Sequence, residues 1–143
     1  MGQAHWSYES EFVAEPASVA AAREFVKRHL SHNGLDHLTE DVRLVVSELA
    51  TNSMVHARTP FTVTLAARDH SVLLTVRDGS PESPVQTLAG VLDTRGRGIS
   101  IVAQVSSSWG VSAADARSAK SVWASFDATI RSRRRRTEAC RLR

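Results

Sequence analysis

The sequence predicts an α+β fold, a two-layer sandwich of a mostly antiparallel mixed sheet with helices on one face. Three observations predict it. Strand-like and helix-like segments follow one another in the order β-α-α-β-β-loop-α-β-β. Two of the strands are separated by only a short turn, as in a hairpin. The chain has 143 residues, of which 42% are hydrophobic and 23% charged, and these values are typical of one globular domain with a single core.

The first two elements are a strand and a helix. "HWSYESEFVAE" alternates well enough for an N-terminal strand. Pro16 then suits the first turn of a helix that continues through "ASVAAAREFVKRHLSH". Asn33 and Gly34 follow this segment and predict its end, because glycine readily takes the left-handed conformation just after a helix.

A second helix is predicted after Thr39, whose hydroxyl is suited to capping a first turn. Glu40 and Asp41 lie in that first turn, where the helix dipole favours negative charge. The helix is predicted to run to about His56, and Pro60 prevents any continuation.

The second half of the chain predicts two pairs of strands, separated by a loop and a short helix. "FTVTLAARD" and "SVLLTVRDG" predict a hairpin that turns near Asp69 and His70. "SPESPVQTLAGVLDTRG" predicts a long loop, because it holds prolines and glycines and has no clean period. "RGISIVAQVSSSWG" predicts a short helix, and "GVSAADARS" and "KSVWASFDATI" predict the last two strands.

The positive charge of the chain is concentrated at its C-terminus. The net charge is +3, but residues 1–130 hold 11 Lys or Arg and 14 Asp or Glu, whereas residues 131–143 hold 7 Arg and one Glu. We therefore expect a domain over residues 1–130 and a flexible, arginine-rich tail over residues 131–143. No aromatic residue lies among those arginines, which disfavours nucleic-acid binding beyond a weak electrostatic contribution.

Cysteine usage and hydropathy indicate the compartment. One cysteine, Cys140, excludes an intrachain disulfide framework and a cysteine-rich zinc site. No segment has the length of a membrane span or the pattern of a secretory signal. A cytoplasmic protein without membrane contact is the simplest interpretation.

Three polar residues lie four positions apart in the second helix, within "SELATNSMVHA". They are Glu48, Asn52 and His56. At about 100° per residue, Glu48 and Asn52 fall at the edge of the apolar stripe of the helix. A carboxylate there needs a partner, because its burial is otherwise costly. The partner could be an arginine, with Asn52 capping a loop, or it could be a ligand.

Two further motifs contain residues suited to a nucleotide. "LLTVRDGSP" ends a strand with Asp78, which is either a turn residue or an acceptor for an exocyclic amino group. Gly79 follows it and would let a ligand approach the backbone. "TRGRGISIV" places glycines and arginines immediately before a helix. That arrangement suits phosphate, although a flexible loop with an ordinary helix start would have the same pattern.

Together, in this order and spacing, the motifs resemble those of a known superfamily. "ELATNSMVH", "DGSP" and "RGRGISIV" resemble the N, G1 and G2 boxes of the GHKL nucleotide-binding superfamily, and "AKSVWASF" is similar to its closing strand. The resemblance is strongest to the small bacterial branch of anti-sigma-factor serine/threonine kinases, of the stress-response and sporulation type. It covers about Phe12 to Ala128, and "GRGISIVAQVSSSWGV" is typical of the stand-alone actinomycete members.

The resemblance implies roles for individual residues. Glu48 would be the catalytic carboxylate that activates a Ser or Thr hydroxyl of a partner protein. Asn52 would be the protein ligand of Mg²⁺, which bridges the phosphates of ATP. Asp78 would accept the adenine amino group, with Gly79 and Ser121 nearby. The other nucleotide-binding residues would be Arg95, Gly96, Arg97, Gly98 and Ile99.

Two positions depart from the family pattern. The G1 box has Gly79 as its second residue and Ser80 as its third, which affects the backbone contact on the adenine side. Ala119 stands where glycine often precedes the lysine of the closing strand. Neither departure involves Glu48 or Asn52.

The resemblance implies an anti-sigma factor that phosphorylates a STAS-type anti-anti-sigma protein, and it allows a homodimer. Two other functions remain open. The chain could be a non-catalytic ATP-binding or docking module that sequesters a partner, or a nucleic-acid-associated regulator that acts through residues 131–143. A histidine kinase is disfavoured, since 143 residues leave no room for a separate phosphoacceptor domain.

Overall fold

An antiparallel sheet with helices packed on one face forms the fold. The computed structural model describes residues 5–79, 98–113 and 120–129. The elements in chain order are β1 (Trp6–Phe12), α1 (Pro16–His32), a 3₁₀ turn (Asp36–Leu38), α2 (Thr39–Asn52), a π-helical turn (Ser53–Ala57), β2 (Phe61–Arg68), β3 (Ser71–Asp78), α3 (Gly98–Val105), β4 (Ser108–Ala113) and β5 (Lys120–Asp127). The predicted α+β class and element order are confirmed. The predicted loop and tail, residues 80–96 and 131–143, lie outside the described residues.

The strand order in the sheet is β1-β2-β3-β5-β4. Each neighbouring pair of these strands is antiparallel, so the strands described here include no parallel pair. β2 and β3 form the predicted hairpin, and Asp69 in its turn has a φ of 57°. β5 lies between β3 and β4, which brings the last strand of the sequence beside the end of β3.

Alternation places the apolar side chains of each strand toward the helices. The burial pattern of β5 alternates strictly between buried and half-buried residues, as expected when one face of a sheet packs against helices. The sheet side of the core consists of Phe61, Val63, Leu65, Val72, Leu74, Val76, Val122, Ala124 and Phe126, and the helix side includes Val26, Leu30, Val42, Val45, Val46, Leu49 and Val102. Each fully buried Leu or Phe stabilises the fold by about 1.5–3 kcal/mol.

An aromatic contact fixes α1 on β1. The rings of Tyr8 and His29 stack with their centroids 3.8 Å apart, and Phe25 meets His29 edge-on. Asn33 at the end of α1 donates hydrogen bonds from Nδ2 to the Tyr8 hydroxyl at 3.3 Å and to the His29 carbonyl at 2.8 Å. Gly34 follows with a φ of +73°, so the helix ends where Asn33 and Gly34 predicted.

The start of α2 differs from the prediction in its cap. Thr39 is already helical, with φ −57° and ψ −47°, because the 3₁₀ turn over Asp36–Leu38 continues directly into α2. The cap position therefore falls on Leu38, which has no side-chain hydrogen bond to give. The Thr39 hydroxyl is buried without a hydrogen bond among the described residues.

The chain leaves α3 earlier than the sequence indicated. α3 ends at Val105, and Trp109 and Gly110, which the sequence joined to the helical segment, belong to β4. Gly110 lies opposite Trp123 of β5 on the sheet face away from the helices. A Cβ atom at Gly110 would lie only 2.7 Å from Cζ2 of Trp123, so the indole covers this glycine closely.

Candidate functional site

The polar line of α2 lies on the border between the core and the surface. Glu48 and Asn52 are both half-buried and are separated by one helical turn. Val45 and Leu49 on one side of them are buried, whereas Leu44 on the other side is 42% exposed. The pair therefore lies at the edge of the apolar stripe, as the helical spacing predicted.

A π-helical turn follows directly after Asn52. The amide of Arg58 donates to the carbonyl of Ser53 at 3.0 Å, five residues back, and Arg58 then ends the turn in the left-handed conformation with φ 59°. The chain is helical as far as Ala57, close to the predicted end, but it is wider than an α-helix from Ser53 onward. Such turns are frequent at functional sites.

The π turn brings Ser53 to the end of β3. The Ser53 hydroxyl donates a hydrogen bond of 3.1 Å to Oδ2 of Asp78, and both side chains are buried. Asp78 is the last residue of β3. The carboxylate predicted to read a base therefore lies beside the residue that follows the predicted Mg²⁺ ligand, Asn52.

Asp78 also forms a buried ion pair. Nζ of Lys120 lies 3.7 Å from Oδ1 of Asp78, and the two side chains are 7% and 4% exposed. The strand register explains the contact, because Asp78 and Lys120 are directly opposite in the β3–β5 pair. The two oxygens of one carboxylate are thus held from two different elements, the π turn and β5.

Gly79 is exposed at the end of β3, next to this buried cluster. Its amide donates to Oγ1 of Thr59 at 3.1 Å. A Cβ atom at Gly79 would lie 3.7 Å from the same oxygen, which is ordinary van der Waals contact. Neither the backbone conformation nor a neighbouring atom of the described chain therefore demands glycine here, and the small residue leaves room over the backbone.

The structure separates Ser121 from the other predicted base-side residues. Successive side chains of a strand point to opposite faces, and in β5 it is Lys120 that is buried on the face of Asp78. Ser121 is half-buried on the other face, where its backbone is opposite Arg77 and Ser112. In this structure Ser121 does not join the cluster around Asp78, because its neighbour Lys120 takes the inward position.

The phosphate-side residues are described only in part. Gly98 and Ile99 form the start of α3, and α3 packs against α2. The environment of the Ile99 side chain lies outside the described part, and so do Arg95, Gly96 and Arg97 entirely. The roles predicted for these residues stay predictions.

Sequence reasoning missed two members of the cluster, Ser53 and Lys120. A signal for Lys120 is present, since lysine stands first in the alternation Lys120, Val122, Ala124 and Phe126, whose other members are all apolar and buried. A lysine in such a row needs a buried anion. Ser53 gave no comparable signal, because only the π turn aims its hydroxyl at Asp78.

Comparison with known families identifies the class of protein. Residues 12–125 match the family model of the histidine kinase-like ATPase domain. The match covers most of the chain, and the chain belongs to this family of ATP-binding domains. A search of curated proteins found no match. Family membership supports ATP binding by a regulatory protein and an ATP-using activity.

The side chains of the site fit a nucleotide. Asp78 supplies a buried acceptor, Gly79 leaves its backbone accessible, and Glu48 and Asn52 add oxygen atoms at a half-buried edge. Within residues 5–79, 98–113 and 120–129, no group of three or more His, Cys, Asp or Glu side chains could hold a metal ion. A hard divalent ion held by Asn52 would therefore take its other ligands from phosphates and water, as Mg²⁺ commonly does.

No helix in the described part of the chain combines the length and the apolar character needed to cross a membrane.

Proposed function

We propose that this chain is an ATP-dependent serine/threonine protein kinase that acts as an anti-sigma factor and phosphorylates a STAS-type anti-anti-sigma protein. One observation carries the proposal. Glu48 and Asn52 lie one turn apart on the half-buried edge of α2, directly before the turn whose Ser53 contacts Asp78. A carboxylate that would accept a proton, an amide oxygen that would bind the metal and a carboxylate that would read the base are thus connected through Ser53.

The nucleotide would bind with its base at Asp78 and its phosphates toward α2. The carboxylate of Asp78 would accept a hydrogen bond from the 6-amino group of adenine, with Gly79 allowing close approach of the base. The side-chain oxygen of Asn52 would hold Mg²⁺. The bound ion would supply charge neutralisation for the phosphates.

Glu48 would be the proton acceptor of the transfer. The hydroxyl oxygen of a partner Ser or Thr forms a bond to the γ-phosphorus of ATP, the bond from that phosphorus to the β–γ bridging oxygen breaks, and ADP leaves. The hydroxyl proton passes to the Glu48 carboxylate as the new bond forms. Glu48 is half-buried, so it is shielded in part from water and still within reach of a partner side chain at the edge of α2.

The regulatory role rests on the partner proteins. A STAS-type protein would present the hydroxyl, and a sigma factor would be sequestered by the same chain, which we propose to act as a homodimer in the cytoplasm. Phosphorylating the STAS-type protein would weaken its hold on the kinase, and the freed kinase would then bind the sigma factor.

ATP binding is tested first, by calorimetry with Mg²⁺. The wild type should bind ATP, and Asn52→Ala should lose the Mg²⁺-dependent part of the affinity. Asn33→Ala makes the same substitution at the end of α1, against Tyr8, and should bind ATP like the wild type. Absence of binding in the wild type at millimolar ATP would refute the proposal.

Phosphoryl transfer is tested next, with labelled ATP and the STAS-type proteins encoded in the same genome. Glu48→Gln should bind ATP but transfer phosphate about 10²–10⁴-fold more slowly. Glu24→Gln alters an exposed glutamate of α1 and should leave the rate unchanged. If the wild type binds ATP and phosphorylates none of these proteins, the chain is an ATP-binding docking module instead.

A further inference from the structure

We propose that Lys120 is a positioning residue for base selection: with Ser53, it fixes the orientation of the Asp78 carboxylate so that this acceptor favours 6-aminopurines over 6-oxopurines. This inference rests on the proposed ATP site. It assigns a role to the lysine of the closing strand, for which the sequence analysis gave none.

The three side chains lie together in the interior. Ser53, Asp78 and Lys120 are each 6% exposed. The Ser53 hydroxyl donates to Oδ2 at 3.1 Å, and the Lys120 ammonium group lies 3.7 Å from Oδ1. Each oxygen of Asp78 thus has a donor or cation from a different element, which restricts rotation of the carboxylate.

Stability alone does not account for a lysine at this position. The other inward-facing residues of β5 are apolar, and so are those of β3 before Asp78. A buried ion pair is often no more stabilising than an apolar pair of similar volume, because both charges lose their hydration. An apolar pair at these two positions would extend the hydrophobic core to the end of β3. The charged pair lies there instead, beside the predicted base site.

The orientation of the Asp78 carboxylate determines which purines it can bind. A carboxylate accepts hydrogen bonds. The 6-amino group of adenine donates, whereas the 6-oxo group of hypoxanthine or guanine accepts, and the donor of these bases is the neighbouring N1–H. A carboxylate fixed by Ser53 and Lys120 toward the 6-position therefore binds the 6-amino group and meets the 6-oxo group acceptor to acceptor. Without the ammonium group, the carboxylate could rotate toward N1–H, and the preference for the 6-amino group would decrease.

The test compares ATP with inosine triphosphate, which differs from ATP in carrying a 6-oxo group and a proton on N1. Calorimetry gives the ratio of the two dissociation constants for each variant of the full chain. We expect the wild type to favour ATP by at least about tenfold and Lys120→Met to reduce that preference about tenfold, the factor for one hydrogen bond to a charged group. Lys120→Arg keeps the charge and should restore most of the preference.

A second variant covers the case in which Lys120→Met does not fold. Ser53→Ala removes the hydrogen bond from the Ser53 hydroxyl to Asp78 and should reduce the preference for ATP, by less than the loss of a charge. Ser47→Ala also removes one side-chain hydrogen bond from α2, that to the Arg43 carbonyl at 2.8 Å, and should leave the preference unchanged. Thermal unfolding confirms that each variant is folded.

The outcomes separate this inference from the proposed function. If the wild type binds neither nucleotide, the ATP site itself is refuted. If the wild type binds ATP and a folded Lys120→Met or Ser53→Ala keeps its preference, the positioning role is refuted and the ATP site stands. If Lys120→Met loses inosine triphosphate and keeps ATP, Lys120 contacts the base directly and the positioning role is again wrong.

Discussion

Ser53 and Asp78 are 25 residues apart in sequence, and the hydroxyl of the first donates a buried hydrogen bond of 3.1 Å to the carboxylate of the second. The bond joins the turn after α2 to the end of β3. The segment predicted to hold the phosphates and the segment predicted to read the base are therefore bonded to each other. A ligand bound to Asp78 would contact a carboxylate that is bonded to the turn after Asn52.

The first prediction compares a buried and an exposed ion pair among the described residues. Asp78→Asn removes the charge that offsets the buried Lys120 and should lower the free energy of unfolding by about 3–5 kcal/mol. Asp69→Asn breaks an exposed contact with His5, in which the side chains are 59% and 65% exposed. Asparagine also tolerates the left-handed backbone of Asp69, so this change should stay within about 0.5 kcal/mol.

Urea unfolding of both variants and the wild type measures the difference. Equal, small losses in the two variants would mean that Lys120 finds another partner, and the account of the buried pair would be wrong.

Much of the fold could be predicted, because the periodicity of hydrophobic residues indicates the helices and strands and the boundary residues indicate where they end. Gly34 ended α1 where a left-handed residue was expected, and the alternation of β5 gave its buried face. The cap at Thr39 could not be predicted, since a 3₁₀ turn before a helix leaves little trace in sequence. The resemblance of the closing strand placed Ser121 near the base, and the strand register gives the position on the face of Asp78 to its neighbour Lys120.

The second prediction compares two glycines. The left-handed backbone of Gly34 favours glycine, whereas the backbone of Gly79 does not require it. Gly79→Ala should fold normally, because its Cβ would meet no atom of the described residues closer than 3.7 Å, but it should weaken ATP binding if the base approaches this backbone. Gly34→Ala should bind ATP normally but lose about 1–2 kcal/mol of stability, since its φ is +73°.

Calorimetry should thus show weaker ATP binding only in Gly79→Ala, and thermal unfolding should show lower stability only in Gly34→Ala. Unchanged ATP affinity in Gly79→Ala would remove Gly79 from the proposed site.

The third prediction is a pH dependence of stability that arises at His29. Burial against Tyr8 and Phe25 lowers the pKa of His29 below its ordinary value of about 6.5, and the charges of Arg28 and His32 lower it further. Below pH 6.5 the unfolded chain therefore takes up a proton at this residue before the folded chain does. The contribution of His29 to the free energy of unfolding is therefore fully present above pH 6.5. It decreases as the pH falls toward the lowered pKa of the folded state.

Melting temperatures at pH 7.5 and 5.5 test the assignment. The decrease between these pH values should be smaller in His29→Gln than in the wild type. His70→Gln changes an exposed histidine of the β2–β3 turn and should show the wild-type decrease. An identical decrease in all three proteins would place the pH dependence elsewhere.

The last prediction concerns Gly110 and Trp123, which meet on the sheet face away from the helices. Gly110→Ala should cost about 1–3 kcal/mol, because the new Cβ would lie 2.7 Å from the indole and β4 or Trp123 must shift. In a Trp123→Ala background the three atoms nearest to the new Cβ are absent, since all of them belong to the indole. Gly110→Ala should then be neutral or stabilising by a few tenths of a kcal/mol, since alanine reduces the freedom of the unfolded chain. A double-mutant cycle by urea unfolding measures this coupling, and additive effects would show that the indole does not cover Gly110 in solution.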